Sequence, residues 1–177
     1  MAVRLLRRMA PLAAAGLLLP SAPALAGVSV DFADPARFTD ARLDGGGGAR
    51  PDAPELLAIR RHLEALGARL PPGTALRVTV LDIDLAGRRE PWRIDNPDLR
   101  VMTQATWPRI RLRYALVRPG GYPTDHPGHH PGEAPAVAEE SVSDMAYLAR
   151  ARMARAGDRL WFEKAMLDDW FRQRFLR

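Results

Sequence analysis

Apolar residues recur every second position in some stretches of this chain and every third or fourth in others. Gly27 to Phe32 alternates Val28, Val30 and Phe32, which predicts a short strand. Leu56, Ile59, Leu63, Leu66 and Leu70 recur at three and four, the stripe of an amphipathic helix. Asp52, Pro54 and Glu55 before it read as an Asx cap, a first-turn proline and an acid three residues after the cap. The "PPG" at Pro71 to Gly73 ends the helix. In "ALRVTVLDIDLAG", Ala75 to Gly87, the apolar phase changes midway. Val78 and Val80 share one face; Leu81, Ile83 and Leu85 share the other. Either a bulge near Val80-Leu81 or burial on both faces reconciles them.

Further along, Leu99 to Met102 predicts a short strand. Pro108 to Val117 is a clean alternation, with Ile110, Leu112, Tyr114 and Leu116 inward and Arg109, Arg111 and Arg113 outward. Pro108 stands at the strand's start, where a missing N–H is tolerable. Ala136 to Val142 is a weaker strand, and Met145, Tyr147 and Leu148 suggest a helical turn. Asp158 is placed to cap a final helix carrying Leu160, Trp161, Leu167, Trp170, Phe171 and Phe175. The order β-α-β-β-β-β-α does not alternate strictly. It predicts an α+β fold, a mostly antiparallel sheet of four to five strands with two helices packed on one face. Trp92, Trp107, Trp161 and Trp170 are expected in core and rim packing.

The first 26 residues change the picture of the mature protein. "MAVRLLRRMAPLAAAGLLLPSAPALAG" has a basic start, a short apolar centre and the small-x-small site Ala24-Leu25-Ala26. That is the order of a cleaved secretory signal peptide, and the apolar run is shorter than the roughly 20 residues that span a bilayer. The expectation is a single domain over 27–177, periplasmic, soluble and not a lipoprotein, since the chain has no cysteine to carry a lipid. No later stretch predicts a transmembrane segment. The whole chain has 26 basic and 21 acidic residues, a formal charge of +5. Removing Arg4, Arg7 and Arg8 leaves 23 against 21, or +2. A near-balanced domain does not carry the footprint of a nucleic-acid binder. Without cysteines there is no disulfide, so burial alone must hold the fold.

Four sets of residues could carry chemistry. His126, His129 and His130 lie in "PGGYPTDHPGHHPGEAP", inside a Pro/Gly/His-rich loop expected at 118–135. With Asp125 or Glu133 they could ligate Zn, Ni or Cu(II). The proline density predicts a disordered, solvated excursion, and a functional site needs a fixed geometry with supporting partners, so no metal is assigned. Asp82 and Asp84 share a strand face at a spacing open to a hydrolase pair or a hard cation. If they lie opposite Arg113 and Arg111 they are structural cross-strand ion pairs, each contributing about 0.2–1 kcal/mol. Arg109, Arg111 and Arg113 form a ladder that could grip phosphates of an anionic lipid. Asp168 and Asp169 read as polar positions of an ordinary helix. There is no nucleophile elbow, phosphate loop or histidine–glutamate zinc helix, and no cofactor is indicated.

The segments "VLDIDLAG" (Val80 to Gly87), "PWR" (Pro91 to Arg93), "RVM" (Arg100 to Met102), "WPRIRLRYAL" (Trp107 to Leu116), "SVSDMAYL" (Ser141 to Leu148) and "FEKAMLDDWFRQRF" (Phe162 to Phe175) resemble, in this order, an exported bacterial family, domain of unknown function 3016. The resemblance implies an envelope location and no established activity, so it assigns no catalytic residue. The chain departs from the family pattern at Pro119–Pro135 and at Gly45–Gly48. The expectation is therefore a periplasmic, non-enzymatic module that binds an envelope protein or lipid or maintains the envelope. Three alternatives accompany it: a hydrolase using Asp82 and Asp84, metal binding through the histidine loop, and lipid binding through the arginine ladder.

Overall fold

The computed structural model describes residues 27–90, 92, 99–117, 137–155 and 157–176. Six strands and two helices follow one another: β1 (Gly27–Phe32), α1 (Pro54–Leu66), β2 (Ala75–Asp84), β3 (Arg88–Arg89), β4 (Arg100–Val101), β5 (Arg109–Val117), β6 (Val137–Ser143) and α2 (Trp161–Phe175). The main sheet has the order β1-β2-β5-β6, while β3 and β4 form a separate two-stranded ribbon. β1 runs parallel to β2, with α1 as the crossover between them; the β2–β5 and β5–β6 pairs are antiparallel. The fold is thus α+β with a mostly antiparallel sheet. β3 was not legible as a strand, because two residues carry no period.

One face of the sheet is packed and the other is open. Val30, Val78, Val80, Ile83, Ile110, Leu112, Tyr114 and Val142 are buried in one core with Leu56, Ile59, Leu63 and Leu66 of α1. Met166, Leu167, Trp170 and Phe171 of α2 join the same core. Leu112 and Phe171 are fully inaccessible; burying such a side chain stabilises by roughly 1.5–3 kcal/mol. At the β6 end of this core the rings of Tyr114, Trp170 and Phe175 pack edge-on, with centroids 5.3–5.6 Å apart. Their polar tips converge on Glu140, which accepts from Tyr114 Oη at 3.1 Å and Trp170 Nε1 at 3.2 Å. Burial raises the Tyr114 phenol above its ordinary range, although Arg174 donates to its oxygen.

The change of phase in β2 is a bulge. Register shifts between Val80 and Asp82, so Leu81 is the extra residue. The bulge returns Ile83 and Leu85 to the face that Val78 and Val80 already bury. It also moves every downstream pair by one. Asp82 stands opposite Arg111 and Asp84 opposite Arg109, where an unbroken ladder would place Ile110 and Pro108; the partners expected from the sequence, Arg113 and Arg111, lie two residues further along β5.

Both helix starts differ from the expected caps. α1 has Ala53 at its N-cap with no side-chain cap, and Asp52 instead meets Arg50 at 3.1 Å. Pro54 makes the donor at the first position unnecessary, and Glu55 reaches back to accept from Leu43 N at 2.8 Å. α2 has Leu160 at its N-cap. Asp158 lies two residues earlier, accepting from Leu160 N at 3.2 Å and from Lys164 Nζ at 2.9 Å. Partial burial pulls the Asp158 carboxyl up, but the Lys164 and Leu160 hydrogen bonds outweigh it and leave its pKa lowered. Trp170 is core, whereas Trp92 is 67% exposed, contrary to the packing expected of it.

Candidate functional site

The C-terminal end of β2 gathers polar groups from several separate segments. β1 stops pairing at Phe32, and the chain loops out before returning at Asp40 to the same β2 edge. Asp40 N donates to Ile83 O at 2.8 Å and Leu85 N donates to Asp40 O at 3.0 Å, a parallel bridge. Asp82 fastens this return. Its carboxylate accepts from Thr39 N at 2.7 Å, Thr39 Oγ1 at 2.8 Å and its neighbour Ile83 N at 2.9 Å. Asp84 accepts from Arg109 Nη2 at 3.0 Å.

Beneath them lies Arg100, brought in by β4, with a side chain only 6% exposed. It donates to Asp40 Oδ2 at 2.7 Å, Gly87 O at 2.7 Å, Ala86 O at 3.0 Å, and Leu85 O and Arg42 O at 3.3 Å. One guanidinium thus satisfies the last carbonyls of "LAG" and one oxygen of Asp40, a use for which its planar fork suits it; Asp40 Oδ1 is buried with no partner among the described residues. Gly87 is required here: its φ is +76°, and a Cβ would come within 2.6 Å of Met102 Sδ. From the other side Glu163 of α2, 1% exposed, accepts from Ala86 N at 2.7 Å through Oε1. Its Oε2 is buried with no partner among the described residues. Burial pushes this carboxyl well above the usual range, against the pull of the Ala86 amide and the Arg100 charge.

Above this floor opens a cleft of about 460 Å³. Asp40 and Asp84 lie on its acidic side, and Arg88, Arg89 and Arg109 supply cations. Gly46 and Gly47 close one wall, and Thr106 and the half-buried Trp107 form another. A hollow of about 520 Å³ near Asp44 and Glu55 is larger but more open to solvent. The cleft is the better-formed site because a sheet end, a ribbon and two loops converge on it.

The sequence-predicted residues separate. Arg109 lines the cleft; Arg113 instead meets Glu139 of β6 at 3.2 Å, and Arg111 stands between Asp82 and Ser141. With Arg77 they make four arginines on the open face, against Asp31, Asp82, Asp84 and Glu139. Four positive and four negative groups leave that face neutral, which is no footing for gripping a polyanion. Asp82 has both oxygens committed to donors, and Asp84 has its Oδ2 committed to Arg109. Asp168 lies 3.1 Å from His62 Nε2, joining α2 to α1, and Asp169 pairs with Arg150 and Arg172. His126, His129 and His130 lie outside the described residues. Among the described residues no group of three or more His, Asp or Glu is placed to hold a metal ion.

Sequence reasoning missed Asp40, Arg100, Glu163 and the glycine wall. Arg100 and Glu163 do fall in the quoted segments "RVM" and "FEKAMLDDWFRQRF", but nothing in their spacing marks two charged side chains as buried. No helix among the described residues is long and apolar enough to cross a membrane. No curated protein and no solved structure matches the chain. A family model described as a protein of unknown function, DUF3016, matches residues 26–173, from the residue before β1 to the last turn of α2. The chain therefore belongs to the DUF3016 family.

Proposed function

We propose that this chain is an exported envelope protein that acts by binding rather than by catalysis, with the cleft at the end of β2 as its contact site. The observation that carries the reading is the state of its carboxylates. Asp82 is occupied by Thr39 and Ile83, Asp84 by Arg109 and Asp40 by Arg100. A general base or nucleophile needs lone pairs aimed at a substrate; both Asp82 oxygens are aimed at the protein, Asp84 Oδ2 and Asp40 Oδ2 are each held by an arginine, and Asp40 Oδ1 is buried away from solvent. Export and removal of the leader are supported by the signal-like order of residues 1–26 and by the family match, which begins at residue 26.

The test uses protein recovered from the periplasm, with its N-terminus sequenced and its bound components identified by mass spectrometry. Cleavage is expected after Ala26. Charge reversal at Arg88 and Arg109 should remove a captured component, while Asp82→Asn, outside the cleft lining, should leave it in place at some cost in stability; a double Asn variant at Asp82 and Asp84 serves the hydrolase alternative. A hydrolytic activity that the double Asn variant loses while keeping its fold would replace binding by the hydrolase alternative.

A further inference from the structure

We propose that the cleft binds a phosphate ester, which rests on reading the cleft as the recognition site and names its ligand class. The argument begins with the loop Gly45–Gly48. Gly46 and Gly47 have φ of +64° and +73° and both line the cleft. Their carbonyls are engaged: Gly46 O accepts from Arg42 Nε at 3.0 Å and Nη2 at 2.7 Å, and Gly47 O accepts from Ala41 N at 2.8 Å. A trans peptide directs its N–H opposite to its C=O. Holding Gly46 O against Arg42 therefore turns the Gly47 N–H away from Arg42. The amides of Gly46 and Gly47 donate to nothing among the described residues. Successive amides in left-handed turn conformations make concavities that take anions.

The cations stand across from this wall. Arg88 is exposed, and Arg109 is 51% exposed with one nitrogen directed to Asp84. Asp40 and Asp84 would repel an anion, but one oxygen of each is held by a guanidinium. Among the charged residues that line the cleft, Arg88, Arg89 and Arg109 outnumber these two carboxylates by one charge, and Asp40 is paired in addition with the underlying Arg100. Donors converging from several directions fit a tetrahedral group with several acceptor oxygens better than a flat carboxylate. The volume, about 460 Å³, leaves room for the organic part of an ester, with Trp107 as its apolar wall.

A lipid headgroup and a soluble metabolite share this chemistry, and the experiment separates them. Titrations with inorganic phosphate and glycerol 3-phosphate are set beside flotation on phosphatidylglycerol vesicles, with pure phosphatidylcholine vesicles as control. Saturable binding of the esters is expected, weakened at least about tenfold by Arg88→Gln with Arg109→Gln and unchanged by Arg111→Gln with Arg113→Gln on the open face. Circular dichroism checks that each variant is folded. Flotation on phosphatidylglycerol that glycerol 3-phosphate competes away assigns the group to lipid; ester binding without flotation assigns it to a soluble compound. No saturable binding, or equal losses in the two double variants, overturns the phosphate ligand. If an envelope component is still captured by the wild type and lost on charge reversal at Arg88 and Arg109, the binding reading survives that failure. If capture fails as well, both fall.

Discussion

The two faces of the main sheet are made by the same four strands, yet they do different work. The covered face is apolar and closed by two helices, so its stability lies in area removed from water. The open face alternates arginine with carboxylate in solvent, where each pair is screened and contributes little. The end of β2, where the two meet, holds the charges that are buried. There Arg100 and Glu163 cannot exchange partners with water, and their removal has consequences that the open-face charges lack. Counting ion pairs would rank the open face first; accessibility reverses that order.

Substitutions sharpen this contrast in a graded way. Phe171→Ala on the covered face should cost the most, about 3–5 kcal/mol, read from urea unfolding at constant m-value. A cost under 1 kcal/mol would show that α2 is not part of the core. Arg100→Leu should follow at about 2–3 kcal/mol, since it strips a carboxylate and four carbonyls of their donor. That is below the full cost of breaking a buried pair because the Asp40 side chain keeps 19% of its exposure.

Glu163→Gln should act in the opposite direction. The folded-state pKa of Glu163 is raised above 4.5. Below that value both folded and unfolded states hold the proton and the group has no effect. As pH rises through it, the unfolded state ionises first and the native state loses stability. Glutamine keeps the acceptor for Ala86 N and cannot ionise. The variant should therefore melt above the wild type near neutral pH, with the gain shrinking as pH falls toward 4.5. A difference that does not vary with pH would mean that Glu163 does not titrate differently on folding. Asp158 and Asp44, whose pKa values are lowered by Lys164 and Arg159, slope the other way but are common to both proteins.

The smallest effect is expected on the open face. Arg113→Gln should change stability by about 0.2–1 kcal/mol, and less in high salt. A loss as large as that of Arg100→Leu would erase the distinction between the faces.

Hydrophobic period alone determined the long elements of this protein: the α1 stripe, the alternation of β5 and the α+β class; in β2 it marked the change of phase, and the fold chose a bulge over burial on both faces. Those signals are local, because each apolar residue must turn to the same side as its neighbours in one segment. The cap residues were misjudged within the same segments, since Pro54 and Lys164 offered competing solutions that composition does not rank. Pairing partners were decided only by the fold. One bulged residue set Asp84 opposite Arg109 instead of Pro108, two positions from the Arg111 expected of it, a shift that no pattern of charges records. The candidate site was decided there too. Asp40 and Gly46 share one loop and Arg100 and Glu163 come from two other segments, and a charged residue in a sequence carries no mark of whether water will reach it. Only packing three-dimensionally distant segments together removes that water, and with it decides which charges matter.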